Sequence, residues 1–173
     1  MAEIKSTLDL MLEKTRHMTL SDEEKKELLL KEINGKIKGW IQKFRDRRLT
    51  AEEIRTELNR ARQDYASAEV IKLFKKSLIR SIEPDGDNAP AFDLLERVLG
   101  EDTSRMSLLL DTFNREMEQE KKRIADQRGR QLSEQGISGS AVVPNHVKDG
   151  EWTTAFAGRL AVFTEKRTLI ADS

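Results

Sequence analysis

Apolar residues recur along the chain every three or four positions, with polar residues between them. From residue 3 to 17 the stripe is Ile4, Leu8, Met11, Leu12 and Thr15. That spacing lines one side of a helix rather than alternating across a strand. Thr19-Leu20-Ser21 interrupts it. Ser21 and Glu24 then form a capping box, in which the hydroxyl and the carboxylate each serve a backbone N–H that has no helical acceptor. A helix is expected from Asp22 to about Arg47, with Leu29, Leu30, Ile33, Ile37, Trp40, Ile41 and Phe44 as its apolar positions. Thr50 and Glu53 form a second box, with Leu49 and Ile54 at the positions of a hydrophobic staple. The next helix follows from Ala51 with Ile54, Leu58 and Ala61 inward, and breaks near Asp64 to Ser67 or runs through Tyr65. Another carries Val70, Ile71, Phe74, Leu78 and Ile79.

Residues 83–90, Glu-Pro-Asp-Gly-Asp-Asn-Ala-Pro, read as a loop. Asn88 is expected to cap the short helix after it, with Pro90 in the first turn. That helix holds Phe92, Leu94, Leu95, Val98 and Leu99 and stops at Gly100, a natural left-handed terminator. Asp102 or Thr103 opens a long helix, about 103–135, whose face is Met106, Leu109, Leu110, Phe113, Met117 and Ile124. Beyond Ile124 the apolar pattern dilutes into Lys, Arg, Gln and Asp. Gly136 to Asn145 reads as extended chain or one short strand, and Asp149 is placed to cap a last helix bearing Trp152, Phe156, Leu160 and Phe163.

The fold class expected is therefore all-α: an irregular domain of six or seven helices, one of them long, with a C-terminal helical arm. The body is assigned to residues 1–117, and the extension, linker and last helix to 118–173. A helix over 103–135 is about 50 Å long. A compact domain of this size is roughly 40 Å across. The outer half, 118–135, has too little apolar surface to stand alone. It is expected to find a covering surface, either the last helix folding back or a second copy of the chain, to kink near Gly129, or to fray.

Composition narrows the function. Charged residues make up 36% of the 173, and the 31 basic and 31 acidic side chains cancel. Zero net charge gives no global pull toward nucleic acid or an anionic membrane. Residues 1–80 carry 19 basic and 14 acidic side chains and the remainder 12 and 17, so the two halves have opposite sign. With no cysteine, disulfides, zinc–thiolate sites and thiol nucleophiles are excluded. The first dozen residues lack the apolar run of a secretory signal, and no stretch reaches the length of a membrane span, so the expectation is a soluble, cytoplasmic protein.

The candidate chemistry is sparse. His17 and His146 have no partner at metal-ligand or acid–base spacing. Asp85, Asp87 and Glu96 sit at calcium-loop intervals, but Ala89 and Pro90 occupy the places of a ligand and a glycine. Gly136-Ile-Ser-Gly139 matches a bare G-x-x-G, and a helix stop followed by a turn explains it better than an RNA-binding loop. Gly35 and Gly39 within one helix suggest a close helix crossing or a bend. No catalytic residue, cofactor or metal is expected, and the chain reads as a non-enzyme. The favoured function is a helical interaction or assembly protein that pairs with itself, as a homodimer, or with another protein. Trp152, Phe156, Leu160 and Phe163 are the partner-binding candidates, on an arm able to reach its own long helix or another subunit's. The alternative is a nucleic-acid-associated factor using Lys72, Lys75, Lys76 and Arg80, which line one helix face. A small-ligand-binding helical protein stands third.

Overall fold

The computed structural model describes residues 21–64, 67–137, 139 and 150–173. Among these the protein is all-helical. The helices are α1 (Asp22–Arg45), α2 (Ala51–Asp64), α3 (Ser67–Arg80), α4 (Ala89–Leu94), α5 (Ser104–Glu134) and α6 (Gly150–Asp172). The expected first helix over 3–17, His17, His146, the expected cap Asp149 and, of the expected extended segment Gly136 to Asn145, residues 138 and 140–145 lie outside the described residues.

Local chemistry accounts for most helix ends. At the start of α1, Glu24 Oε2 accepts the Ser21 N–H at 2.7 Å and Ser21 Oγ accepts the Glu24 N–H at 3.2 Å. At the start of α2, Glu53 Oε2 accepts the Thr50 N–H at 2.8 Å and Thr50 Oγ1 accepts the Glu53 N–H at 3.3 Å. These bonds hold the Glu53 carboxyl below the usual carboxylate range, the Thr50 backbone N–H contributing most. Helix α1 ends in a left-handed turn at Arg47, where φ is 57° and the Arg48 N–H reaches back to the Lys43 carbonyl at 2.8 Å. Helix α4 widens into a π-helical turn, Leu95–Leu99, and stops at Gly100 with φ 67°.

Two expectations are corrected here. Asn88 does not cap α4. Its side chain closes the preceding loop instead, accepting the Glu83 N–H and donating to the Glu83 carbonyl, while Asp87 accepts the Ala89 N–H. Gly35 and Gly39 do not mark a close crossing, because a methyl group added at either meets no heavy atom within 4 Å, and α1 runs through both.

Helix α3 is the hub of the packing. It lies against α1, α2, α4 and α6, and α6 lies also on α5. Phe74 and Leu78 of α3 are completely buried, with Ile33 and Ile37 of α1, Ile54 of α2 and Leu94 of α4 around the same core. Phe113 of α5 and Phe163 of α6 belong to that core as well. No polar or charged residue is buried among the described residues, so apolar burial supplies the main stabilisation.

The long helix runs unbroken across residue 117 and through Gly129. Helix α6 returns antiparallel along it. Arg123 pairs with Glu151 at 2.5 Å near the start of α6, and Arg159 with Glu116 at 2.9 Å near its middle. At its end, Asp172 meets Lys76 of α3 at 2.5 Å. Exposed pairs of this kind contribute little stability, but they fix direction and register.

Candidate functional site

The aromatic stripe of α6 faces inward on its own chain. Phe163 is 2% exposed, and its ring stands 5.5 Å from that of Phe113, edge to face. Phe156 lies 5.9 Å from Phe113, and Trp152 6.3 Å from Phe156. Trp152, Phe156 and Leu160 are half-buried against the core. Thus the four residues singled out from the sequence are brought together, and within a single chain they cover α5 and α3.

Arg167, one turn beyond Phe163, locks α6 to the end of α3. Its Nη1 donates to the carbonyls of Arg80 at 3.1 Å and Ile82 at 2.6 Å. Arg45 of α1 donates to the Ser81 carbonyl between them, also at 3.1 Å. The end of a helix presents unsatisfied carbonyls and a partial negative charge. Two guanidinium groups, one from each end of the described chain, converge on it. The Arg167 guanidinium also lies 5.8 Å from the centroid of the Phe163 ring, within cation–π range.

What remains is the opposite side of α6. Its apolar residues are not confined to one stripe. Turned to solvent between residues 157 and 169 are Ala157, Gly158, Ala161, Val162 and Leu169, with Thr164 and Thr168 beside them. Leu169 is 66% exposed and Val162 44%. A shallow groove follows Ala157, Leu160, Ala161, Thr164, Thr168 and Leu169, and Glu165 is the one charged side chain on its wall. Arg159, Glu165 and Lys166 are exposed on the same side of α6, so the apolar part of its solvent side is the groove beside Leu169, which has no cover among the described residues. The signal was present in the sequence, as small and apolar residues opposite the Trp152–Phe163 stripe.

The basic face of α3 is partly neutralised by the chain itself. Lys75 pairs with Glu101 at 3.0 Å and Lys76 with Asp172 at 2.5 Å. The Lys76 ammonium, hydrogen-bonded to Asp172, holds that carboxyl below the usual aspartate range. Lys72 and Arg80 are exposed. Among the described residues no three His, Asp or Glu side chains gather as a metal ion would require, the loop at Asp85 and Asp87 included. No helix of the described residues is long and apolar enough to cross a membrane. No protein-family model, curated protein or solved structure matches the chain.

Proposed function

We propose that this protein is a non-catalytic helical assembly module of the cytoplasm that pairs with a second copy of itself through the outer face of α6. The observation that carries the reading is that α6 leaves Leu169 and Val162 exposed, with a groove of small and apolar residues beside Leu169 in which Glu165 is the one charged side chain. A second copy suits the uncovered side because the side is self-complementary. A two-fold axis between Ala161 and Thr164 sets Ala157 against Thr168 of the partner subunit and Ala161 against Thr164 of the partner subunit. Small residues then meet small residues and the two backbones approach closely, with Leu160 and Leu169 at the margins. Isologous pairing of this kind is the commonest soluble assembly. From 157 to 169 the face is about 18 Å long. That is short against the roughly 800 Å² per partner of a stable interface, so a reversible dimer is expected.

Replacing Leu169 with Glu tests the reading. The change puts a charge on the pairing face without touching the inner stripe, and the variant is expected to be a folded monomer. A variant that self-associates as the parent chain does would contradict it. The nucleic-acid alternative has less support, since Lys75 and Lys76 already hold carboxylates of the same chain. It predicts binding that falls steeply with salt and with loss of Lys72 and Arg80.

A further inference from the structure

A second surface, on α1, α2 and α4 and independent of α6, combines two features. The first is a cleft of about 910 Å³ between the α1–α2 corner and α4. Its apolar lining includes Phe44, Leu49, Pro90 and Phe92, all half-exposed. Pockets for small organic ligands span about 300–1,000 Å³, and this cleft sets its apolar side chains among three arginines and three acidic residues.

The second is Arg47 at the rim. Its φ of 57° is a conformation that glycine adopts freely and other residues adopt at a cost. The other charged groups around the cleft are engaged. Arg45 holds the Ser81 carbonyl and Arg97 pairs with Asp93 at 3.4 Å. Glu96 accepts from the Thr103 hydroxyl, and Asp87 from the Ala89 N–H. The Arg47 side chain is exposed and has no hydrogen-bond or ion-pair partner among the described residues. An arginine thus stands where the backbone favours glycine, at the rim of the cleft, with its side chain unpaired among the described residues.

We infer that this cleft binds a small amphipathic carboxylate with an aryl or acyl body, its carboxylate on the Arg47 guanidinium and its body against Phe44, Leu49 and Phe92. Guanidinium presents two parallel N–H donors that match a carboxylate. The apolar lining takes the part of the ligand that water disfavours.

The test is amide-resolved NMR titration of the full chain with 1-naphthylacetate, and with 1-naphthylmethanol as the uncharged probe. Shifts are expected at residues 44–51 and 89–97, with the alcohol about tenfold weaker. Arg47→Gly is expected to weaken 1-naphthylacetate about tenfold while raising the melting temperature, because it removes the charge and relieves the backbone together. Arg47→Gln is expected to weaken binding without that rise, and Phe92→Ala to weaken both probes. Shifts that scatter or fall on α6, no shifts in the low millimolar range, or equal affinity of Arg47→Gly and the parent chain would each overturn the inference.

Discussion

Replacing Phe163 with alanine probes the docking of α6 on its own chain. The side chain is 2% exposed, and its ring meets Phe113 edge to face at 5.5 Å. Removing a buried Phe ring costs about 3–5 kcal/mol, from lost transfer energy and the cavity left behind. The aromatic pairing accounts for about 0.5–1.5 kcal/mol beyond burial alone, so a value near the middle, about 4 kcal/mol, is expected here. For a chain of this length that lowers the melting temperature by roughly 8–16 °C. The measurement is chemical denaturation followed by circular dichroism, made in a Leu169→Glu background so that assembly does not contribute. Leu108→Ala, at a position 63% exposed on the outer side of α5, serves as the control and is expected to change stability by no more than about 0.5 kcal/mol. A Phe163→Ala loss below about 1 kcal/mol would refute the inward placement of the stripe. A loss that depended on protein concentration would place α6 on another chain.

Three further outcomes follow from the geometry. Thr50→Ala removes the acceptor of the Glu53 N–H and is expected to lower stability by about 0.5–2 kcal/mol, read as a shifted denaturation midpoint. Gly35→Ala places a methyl group in open space on a continuous helix and is expected to raise stability by about 0.5–1 kcal/mol; a loss would mean that something packs there after all. Asp172 and Glu53 both have carboxyls held below their usual range, by Lys76 and Thr50 respectively. Their contribution is therefore complete above the ordinary carboxylate pKa of about 4 and declines as pH falls through the lowered folded values. Asp172→Asn is expected to flatten the acid side of the stability profile, and an unchanged slope would show that the Lys76 pair is idle.

Much of the architecture was legible because its causes are local. The Ser21–Glu24 and Thr50–Glu53 boxes and the Gly100 stop each depend on residues within a few positions, and each stands where the pattern puts it. The long helix was equally plain from Met106 to Ile124. Asn88 misled because its amide can serve a helix or a loop, and only the position of Glu83 decides between them. The glycines of α1 misled because helical spacing says nothing about whether a neighbour approaches. The site itself was half visible. The stripe from Trp152 to Phe163 is plain in the sequence, but apolar residues are spread around α6, so periodicity alone could not say which side turns inward. Nor could it show that Arg45 and Arg167, 122 positions apart in sequence, both donate to carbonyls at the end of α3.

The central claim is that the outer face of α6 pairs two copies of the chain. Sedimentation equilibrium of the full chain, over a range of concentrations, measures this directly. The account predicts a mass that rises with concentration from the 19.9 kDa of one chain toward twice that value, and stays at 19.9 kDa for Leu169→Glu. A parent chain that remains at 19.9 kDa up to the highest concentration, or a Leu169→Glu variant that doubles as the parent does, would contradict it.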